Sequence, residues 1–297
     1  MTAPWLAERE LTPREALALI TSQHPTLAAS TIERLGAGWD NTAFLVDDAW
    51  VFRFPRREVA VESLVFECRV LPAIADALPL PIPVPQWIGE PTEQYPWPFA
   101  GYRHLSGRTA CQADLSLEQR DALATPLAEF LVALHALSPP EAPADTRLHT
   151  DTARLVPKVR EYLATAVNAG LIDGAAPWEP LLELAHPALP PREHLVHGDI
   201  YVRHLLVDEA GSAVGIIDWG DVHRGHPGLD LSVAFSLLPP RSRESFRRAY
   251  GAIDDEAWTL ARQRGLLYGA VLTAFGHETD DEALVREGRR ALRWVLE

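Results

Sequence analysis

Two aspartates that each follow an apolar segment are the strongest chemical signal in the sequence. Asp199 comes shortly after the apolar pair Leu195-Val196, and Asp218 directly follows the run Gly215–Ile217. His204 lies between them, five residues after Asp199. Short apolar segments of this kind predict strands, so we expect both carboxylates near strand ends, in loops that present side chains to a ligand.

This set of side chains fits phosphoryl transfer. That reaction needs one carboxylate to orient an attacking hydroxyl and accept its proton, and oxygen-type ligands to hold Mg²⁺ on the phosphates. Asp199 is therefore predicted to be the catalytic carboxylate and Asp218 a Mg²⁺ ligand. Pairs of carboxylates near strand ends also occur by chance in α/β proteins, so the flanking residues decide how specific the signal is.

The flanking residues resemble a known family. The spacing matches the catalytic loop and metal-binding aspartate of protein kinases, and the forms His-Gly-Asp and Ile-Asp-Trp resemble the antibiotic phosphotransferases that act on aminoglycosides and macrolides. The likeness extends over residues 35–275 and is strongest over 195–230. It implies a protein-kinase-like α+β fold with a mainly antiparallel β amino-terminal lobe, a mainly α-helical carboxyl-terminal lobe, and a nucleotide in the cleft.

His204 stands where most kinases carry an asparagine that binds a metal ion. Macrolide phosphotransferases look like His-Gly-Asp-Leu-Tyr-Val-Gly-His at this loop, so the histidine points to that branch of the family. A neutral imidazole can ligate a divalent ion, although it is a softer donor than Mg²⁺ prefers. We expect His204 to be either a weaker second ligand or a residue that orders the loop.

The amino-terminal lobe should supply a cation for the nucleotide phosphates, and Arg53 is the candidate. The segment Trp50–Arg57 resembles the kinase strand that normally carries lysine, and macrolide kinases look like Trp-Val-x-Arg-x-Pro-Arg-Arg here. The resemblance assigns Glu67 as the helix partner of Arg53, with Glu62 as the fallback and an ordinary exposed charge as the plain alternative. Lys158 is the only lysine of the chain, so arginine supplies every other fixed cation.

Two further segments match nucleotide-binding positions of the family. Gly36 and Gly38 lie between the first two predicted strands, where a phosphate-covering loop belongs, but the full Gly-x-Gly-x-x-Gly form is absent and a tight turn explains them equally well. Tyr102, Arg103, His104 and Leu105 occupy the hinge position, where backbone groups would meet the base edge. A connecting strand without ligand contacts is the alternative.

Other polar residues near the two aspartates are assigned to structure. Asp230 resembles the family aspartate that hydrogen-bonds the catalytic-loop backbone. Zinc catalysis would need three converging ligands and an open position, and no HExxH-type helical pair is present in the sequence. We therefore expect the nearby histidines to support loops through hydrogen bonds. They are His194, His197, His204, His223 and His226.

The predicted elements divide the chain into lobes at residues 1–105 and 106–297. The first lobe begins with a helix capped at Thr12 and continues as an antiparallel meander of three strands. One helix over 59–78, which Pro72 would kink or divide, separates these strands from two more. In the second lobe, a capping box at Ser116 predicts one helix to Leu137. Further helices are predicted over 152–169, 229–237, 243–250, 256–275 and 282–295.

Composition limits the partners. The 297 residues carry a formal charge of −14, which argues against nucleic acid and suits a cationic small-molecule acceptor. No stretch of about 18 apolar residues and no basic-apolar leader is present, so we expect a cytoplasmic protein without membrane contact. Cys68 and Cys111 match no metal or redox spacing and are expected to be ordinary thiols.

The sequence thus predicts a small-molecule O-phosphotransferase that uses Mg²⁺ and transfers the γ-phosphate of ATP or GTP to a hydroxyl of a macrolide or aminoglycoside. The Asp199 loop and Arg53 resemble the macrolide branch, which implies a macrolide 2′-hydroxyl and GTP as a frequent donor. Kinases of other small metabolites and non-catalytic nucleotide-binding proteins remain as alternatives.

Overall fold

A computed structural model describes residues 7–38, 40–139, 142–190 and 192–297. Its residues form two compact units. The N-terminal unit comprises the described residues up to Asp76 together with Pro81–Leu105 and Gly220–Val222, and the C-terminal unit comprises Ala77–Leu80, Ser106–Trp219 and His223–Glu297.

The N-terminal unit is built on a five-stranded antiparallel sheet with the order β1-β2-β3-β5-β4. Its strands are β1 (Ile32–Ala37), β2 (Asn41–Val46), β3 (Trp50–Pro55), β4 (Pro85–Gly89) and β5 (Phe99–Arg103), and its helices are α1 (Pro13–Gln23) and α2 (Val59–Ile74). The predicted strands are present, and the meander predicted for the first three is confirmed; of the two later strands, β5 pairs with β3 and β4 lies outside it. β4 alternates between half-buried and exposed positions and begins with a proline, which suits an edge strand.

Aromatic side chains fill the core of this unit. The Phe54 and Phe99 rings stack with centroids 4.5 Å apart, and the Tyr95 hydroxyl donates to the Pro55 carbonyl at 2.7 Å. A Cβ at Gly101 would collide with the Phe52 ring, so β5 approaches β3 closely only because glycine stands there. β3, which carries Arg53, is the central strand of this sheet.

Both helices of this unit begin where the sequence predicts, and α2 ends earlier than predicted. α1 starts at the Thr12 capping box, in which Glu15 accepts from the Thr12 backbone nitrogen at 2.8 Å. α2 passes through Pro72 without dividing and ends at Ile74, followed by a 3₁₀ turn over Ala75–Ala77. Burial of Leu71 and Ile74 holds this last turn on the core despite the hydrogen bond that proline removes.

The C-terminal unit is mainly helical. Its helices are α3 (Leu117–Ala122), α4 (Ala124–His135), α5 (Thr152–Asn168), α6 (Glu179–Glu183), α7 (Val233–Ser236), α8 (Arg243–Tyr250), α9 (Asp255–Glu278) and α10 (Glu282–Trp294). The predicted helix from Ser116 is in fact two helices that meet at Leu123. The predicted helix over 229–237 is divided between a 3₁₀ segment, Pro227–Ser232, and the short α7.

Short strands complete the C-terminal unit. They are β6 (Arg108–Thr109), β7 (His194–Val196), β8 (Leu205–Val207), β9 (Ala213–Ile216) and β10 (His223–Gly225). They form a β6-β8-β9 sheet and a β7-β10 pair. The sequence did not indicate β6 or β10, because these short segments contain no run of apolar residues. None of the helices in the described ranges combines the length and apolar character that crossing a membrane requires.

Helices α9 and α10 pack with their backbones in close contact. A Cβ added at Gly288 of α10 would meet the backbone of Gly269 and Thr273 on α9. Glycine at this position therefore permits an approach that any larger residue would prevent.

A buried ion pair ties α3 to α10. The Arg120 guanidinium contacts the Glu287 carboxylate at 2.7 Å, and both side chains are fully buried. Arg120 also donates to the Leu237 and Leu115 carbonyls. Burial lowers the pKa of Arg120 and the Glu287 carboxylate opposes that effect, so each charge depends on the other.

We predict that Glu287→Gln destabilises the protein by about 3–5 kcal/mol, because it leaves the Arg120 charge buried without its counter-charge. The matched control is Glu161→Gln, since Glu161 forms an exposed pair with Lys158 and should contribute less than about 1 kcal/mol. Urea unfolding of both variants measures the difference. Equal losses of stability would contradict the prediction.

Candidate active site

Asp230 organises the loop that follows β7. Its carboxylate is fully buried and accepts hydrogen bonds from the backbone nitrogens of His197 at 2.8 Å and Gly198 at 2.9 Å. The His135 ring nitrogen Nε2 lies 3.1 Å away. Burial raises the pKa of Asp230, but these hydrogen bonds and the nearby histidines lower it by a larger amount, so the net shift is downward. The predicted contact between Asp230 and the catalytic-loop backbone is confirmed.

His197 connects this loop to the end of β9. Its Nε2 lies 3.1 Å from the Ile217 carbonyl, and the Asp199 backbone nitrogen donates to its Nδ1 at 3.3 Å. Both contacts fit one neutral tautomer with the proton on Nε2. Burial lowers the pKa of His197 to about 4. A neutral, doubly bonded ring therefore fixes Asp199 relative to the segment that carries Asp218.

Asp199, His204 and Asp218 are brought together as the sequence predicted. The His204 ring lies between the two aspartates, with Nδ1 3.6 Å from the Asp199 carboxylate and Nε2 3.2 Å from the Asp218 carboxylate. The His204 side chain is 9% exposed, whereas that of Asp218 is 48% exposed. Asp218 has a φ of 65°, a left-handed conformation that aspartate tolerates better than most residues.

The hydrogen bonds of His204 determine which nitrogen could bind a cation. Nδ1 lies 2.7 Å from the Asp199 backbone carbonyl, and because a carbonyl can only accept, Nδ1 carries the proton. Nε2 is therefore the nitrogen directed at Asp218. In the neutral ring its lone pair and the Asp218 oxygen form a donor set that fits a divalent cation.

The charge state of His204 depends on the same neighbours. Burial lowers the pKa of this ring, but the Asp218 and Asp199 carboxylates outweigh it and the net shift is upward. Without a cation the imidazolium form is therefore more favoured than in an ordinary histidine, and in that form Nε2 donates to Asp218. A cation and a proton would compete for Nε2.

Tyr268 and Arg264 also belong to this site, and sequence reasoning missed them. The Tyr268 hydroxyl donates to Asp199 Oδ1 at 2.9 Å, and Arg264 donates to the Tyr268 hydroxyl at 3.0 Å. Both residues lie one turn apart on the buried face of α9. An arginine on the apolar face of a predicted helix was the signal that could have indicated them.

In the N-terminal unit, Arg53 of β3 forms the predicted ion pair with Glu67 of α2. Arg53 Nη1 contacts Glu67 Oε2 at 2.6 Å, with side-chain exposures of 8% and 4%. Glu62 is exposed on the same helix. Lys158 lies on α5 and pairs with Glu161 at the surface.

Of the two predicted loop glycines, Gly36 lies within β1 and pairs with Ala43, and only Gly38 lies at the β1–β2 turn. The Gly38 nitrogen donates to the Asn41 carbonyl at 2.9 Å, and Arg56 donates to the Gly38 carbonyl at 2.8 Å. A Cβ at Gly36 would meet nothing within 4 Å, so packing within the protein does not require glycine there. Trp39, between Gly38 and Asp40, lies outside the described residues.

The predicted hinge residues begin inside the sheet. Tyr102 of β5 pairs with Val51 on one side and with Pro85 on the other. Arg103 places its guanidinium 4.7 Å from the centre of the Trp50 ring. The His104 nitrogen donates to the Ala49 carbonyl at 2.8 Å. Leu105 is half-buried, and only the end of this segment leaves the strand ladder.

The local histidines make hydrogen bonds or ring contacts. His223 stacks on His149, with centroids 4.7 Å apart and planes 15° apart, and Asp145 Oδ1 lies 2.8 Å from His149 Nδ1. These three residues form a group of possible metal ligands. The nearly parallel rings prevent the in-plane lone pairs of the two histidines from converging on one ion, so this arrangement is that of a stacked pair.

The model of the phosphotransferase enzyme family matches residues 31–266. The chain belongs to this family. The match includes Arg53, Glu67 and the whole segment from Asp199 to Asp230. It confirms the resemblance on which the kinase-like fold was predicted.

Known relatives agree with this assignment. The chain is 24% identical to the uncharacterized protein YcbJ of Bacillus subtilis strain 168, over 84% of each chain. The structure of the GDP and kanamycin complex of APH(2")-IIia is similar with a TM-score of 0.65 and 24% identity, covering 94% of this chain and 97% of the other. The macrolide 2′-phosphotransferase MphH of Brachybacterium faecium has a TM-score of 0.55 and 22% identity, covering 93% and 97%.

The buried, neutral His197 predicts a pH-dependent stability. Its pKa is about 4 in the folded protein against an ordinary 6.5, so the unfolded chain takes up the proton first as the pH falls. The stabilisation is complete above 6.5 and is lost between 6.5 and 4, with about 2 kcal/mol gone between pH 7 and 5.

Urea unfolding at pH 7 and pH 5 measures this loss. The control is His197→Gln, which keeps a donor for the Ile217 carbonyl but does not titrate, so its stability should fall less by about 2 kcal/mol over the same interval. The same pH dependence in both proteins would exclude His197 as the cause.

Proposed function

We propose that this protein is a small-molecule O-phosphotransferase that transfers the γ-phosphate of GTP or ATP to a hydroxyl group. One observation carries the proposal: the Asp199 and Asp218 carboxylates flank the two nitrogens of the same buried His204 ring, at 3.6 and 3.2 Å. A base and a cation site this close together are what phosphoryl transfer to an alcohol requires.

Asp199 is the proposed catalytic residue. It orients the acceptor hydroxyl and takes its proton as the acceptor oxygen bonds to the γ-phosphorus. The bond between that phosphorus and the bridging oxygen breaks, and the nucleoside diphosphate leaves with the electron pair. Because Asp199 is fixed through its backbone nitrogen by His197 and through Oδ1 by Tyr268, little reorganisation is needed during the reaction.

Asp218 and His204 Nε2 are the proposed cation ligands. When bound there, Mg²⁺ would neutralise charge on the β- and γ-phosphates. The imidazole must be neutral to bind the cation, and its Nδ1 proton is already committed to the Asp199 carbonyl. His204 is thus suited to both roles considered for it, since it orders the loop through one nitrogen and ligates through the other.

The N-terminal unit is proposed to bind the nucleotide. Arg53, held by Glu67, supplies a permanent cation for the phosphates, and arginine can contact them with two parallel N–H donors. Gly36 at the end of β1 and Gly38 at the turn after it are proposed to let the phosphates approach the backbone, since neither position carries a side chain. His104 and Leu105 are the best candidates for contacts with the base, since Tyr102 and Arg103 lie within β5.

An antibiotic is the proposed acceptor. The structural relatives include an aminoglycoside phosphotransferase with GDP and kanamycin and a macrolide 2′-phosphotransferase, which support both acceptor classes and a guanine nucleotide as donor. His204 and Arg53 favour the macrolide branch, whereas the charge of −14 favours a polycationic aminoglycoside. Arg203 departs from the glycine of the macrolide pattern, and its guanidinium lies 5.9 Å from the centre of the Phe275 ring.

A cytoplasmic location remains a prediction, with which the free thiols Cys68 and Cys111 are compatible.

A coupled assay for nucleoside diphosphate release tests the proposal. GTP and ATP are each supplied with Mg²⁺ and with separate panels of macrolides, aminoglycosides and sugar alcohols. Stimulation by one antibiotic class, with a phosphorylated product in the mass spectrum, supports the proposal. Stimulation by a sugar alcohol alone would identify a metabolite kinase, and nucleotide binding without turnover under every condition would identify a non-catalytic protein.

Asp199→Asn is expected to lower kcat by about 10²- to 10⁴-fold, because asparagine keeps the shape of the side chain but cannot accept the proton. The affinity for Mg²⁺·GTP, measured by calorimetry, should stay within about threefold, since Asp199 is proposed to contact the acceptor and not the phosphates. Unchanged turnover would remove Asp199 from its proposed role.

Asp218→Asn is expected to raise the Mg²⁺ concentration for half-maximal rate by at least about 10-fold, since even losses outside the direct ligands have effects of that size. A Mg²⁺ titration at saturating GTP measures the change. The matched control is Asp173→Asn, which removes an exposed carboxylate of a loop in the C-terminal unit. If both variants titrate like the wild type, Asp218 is not a ligand.

A further inference from the structure

We propose that Tyr268 is a positioning residue for Asp199, and that Arg264 orients the Tyr268 hydroxyl for this purpose. The inference rests on the proposed function, because it concerns the carboxylate that would receive the proton. Tyr268 belongs to neither of the two matched motifs. It lies on α9, 69 residues after Asp199.

The direction of each hydrogen bond is fixed by chemistry. A guanidinium can only donate, so the contact of 3.0 Å between Arg264 and the Tyr268 oxygen uses a lone pair of that oxygen. The hydroxyl proton is then left for the carboxylate, which can only accept when ionised, and Asp199 Oδ1 lies 2.9 Å away. The chain therefore runs from Arg264 through Tyr268 to Asp199.

The surroundings keep this chain intact. Tyr268 and Arg264 are each only 6% exposed, so water does not compete freely for their hydrogen bonds. Burial raises the pKa of Tyr268 well above its ordinary value, which keeps the hydroxyl protonated. The Tyr268 ring stacks on Tyr201 of the catalytic loop, with centroids 4.8 Å apart and planes 12° apart.

Arg264 contributes a second link to the same loop. Its guanidinium reaches the Gly198 carbonyl at 3.4 Å, directly before Asp199, and lies 5.1 Å from the centre of the Tyr268 ring. One buried cation thus contacts both the loop backbone and the hydroxyl that holds the carboxylate. Hydrogen bonds arranged in such a series strengthen each other.

The consequence concerns the orientation of the carboxylate. Asp199 is attached to a loop, and its side chain can rotate about two bonds. The Tyr268 hydroxyl fixes the position of Oδ1 from a helix, and this also fixes the direction in which Oδ2 faces. An acceptor hydroxyl would then meet a base that is already aligned, which is a condition for fast proton transfer.

The test compares wild type, Tyr268→Phe, Tyr162→Phe and Asp199→Asn. Tyr268→Phe removes one oxygen and keeps the ring that stacks on Tyr201. Tyr162→Phe removes a hydroxyl from α5 of the same unit and serves as the matched control. Each protein is assayed for GDP or ADP release with Mg²⁺·GTP or Mg²⁺·ATP and the panel compound that gives the highest rate, and its thermal midpoint is recorded.

We expect Tyr268→Phe to lower kcat by about 10- to 100-fold, because a misplaced reacting group costs a factor of this order. KM for the nucleotide should change by less than about twofold, and Tyr162→Phe should behave as wild type. A fall in kcat matched by a fall in the folded fraction, or no change in kcat, would overturn the inference. If Asp199→Asn keeps wild-type activity, the proposed function fails instead.

Crystal structures of the wild type and of Tyr268→Phe give a readout that does not depend on turnover. We expect the wild-type Asp199 carboxylate to occupy one orientation with Oδ1 on the Tyr268 hydroxyl, and the variant to lose that single orientation. The same well-ordered carboxylate in both structures would refute the inference even if no acceptor is phosphorylated.

Discussion

The loop that carries Asp199 depends on the hydrogen bonds that the buried Asp230 carboxylate accepts. This carboxylate accepts hydrogen bonds from two consecutive backbone nitrogens, at His197 and Gly198, where β7 has just ended and no strand partner is available for them. A buried charge is costly unless it is fully hydrogen-bonded, and here the His135 ring provides the third contact. With these atoms fixed, Asp199 and His204 follow within a few residues, so the positions of these two proposed site residues derive from a residue that touches neither of them.

Buried ion pairs occur in both units, and their setting determines what can be inferred from them. Arg53 with Glu67 and Arg120 with Glu287 have similar lengths, at 2.6 and 2.7 Å, and little or no exposure. Arg120 also donates hydrogen bonds to the Leu115 and Leu237 carbonyls, and its ion pair joins α3 to α10. Burial of a charged pair is thus a weak argument for function. Only the motif around Arg53 distinguishes the two pairs.

Much of the fold and the centre of the site could be predicted from sequence, because local patterns encode them. The capping boxes at Thr12 and Ser116 indicated where helices begin, and the spacing of Asp199, His204 and Asp218 indicated their meeting. The order of the last two strands was not predicted and the prediction of one helix across Leu123 was wrong, since sheet order and helix division both depend on contacts between residues distant along the chain. Tyr268 was missed for the same reason, as its partner lies 69 positions earlier.

The close approach of α9 and α10 has a consequence for how this protein can change over evolutionary time. Tyr268 lies one residue before Gly269, whose backbone lies against Gly288, so the anchor of the proposed base is next to a seam that accepts no added methyl group. Substitutions along that seam would shift α9 as a whole. Substitutions that change acceptor preference are therefore expected in segments outside the seam, while the sequences of α9 and α10 change little.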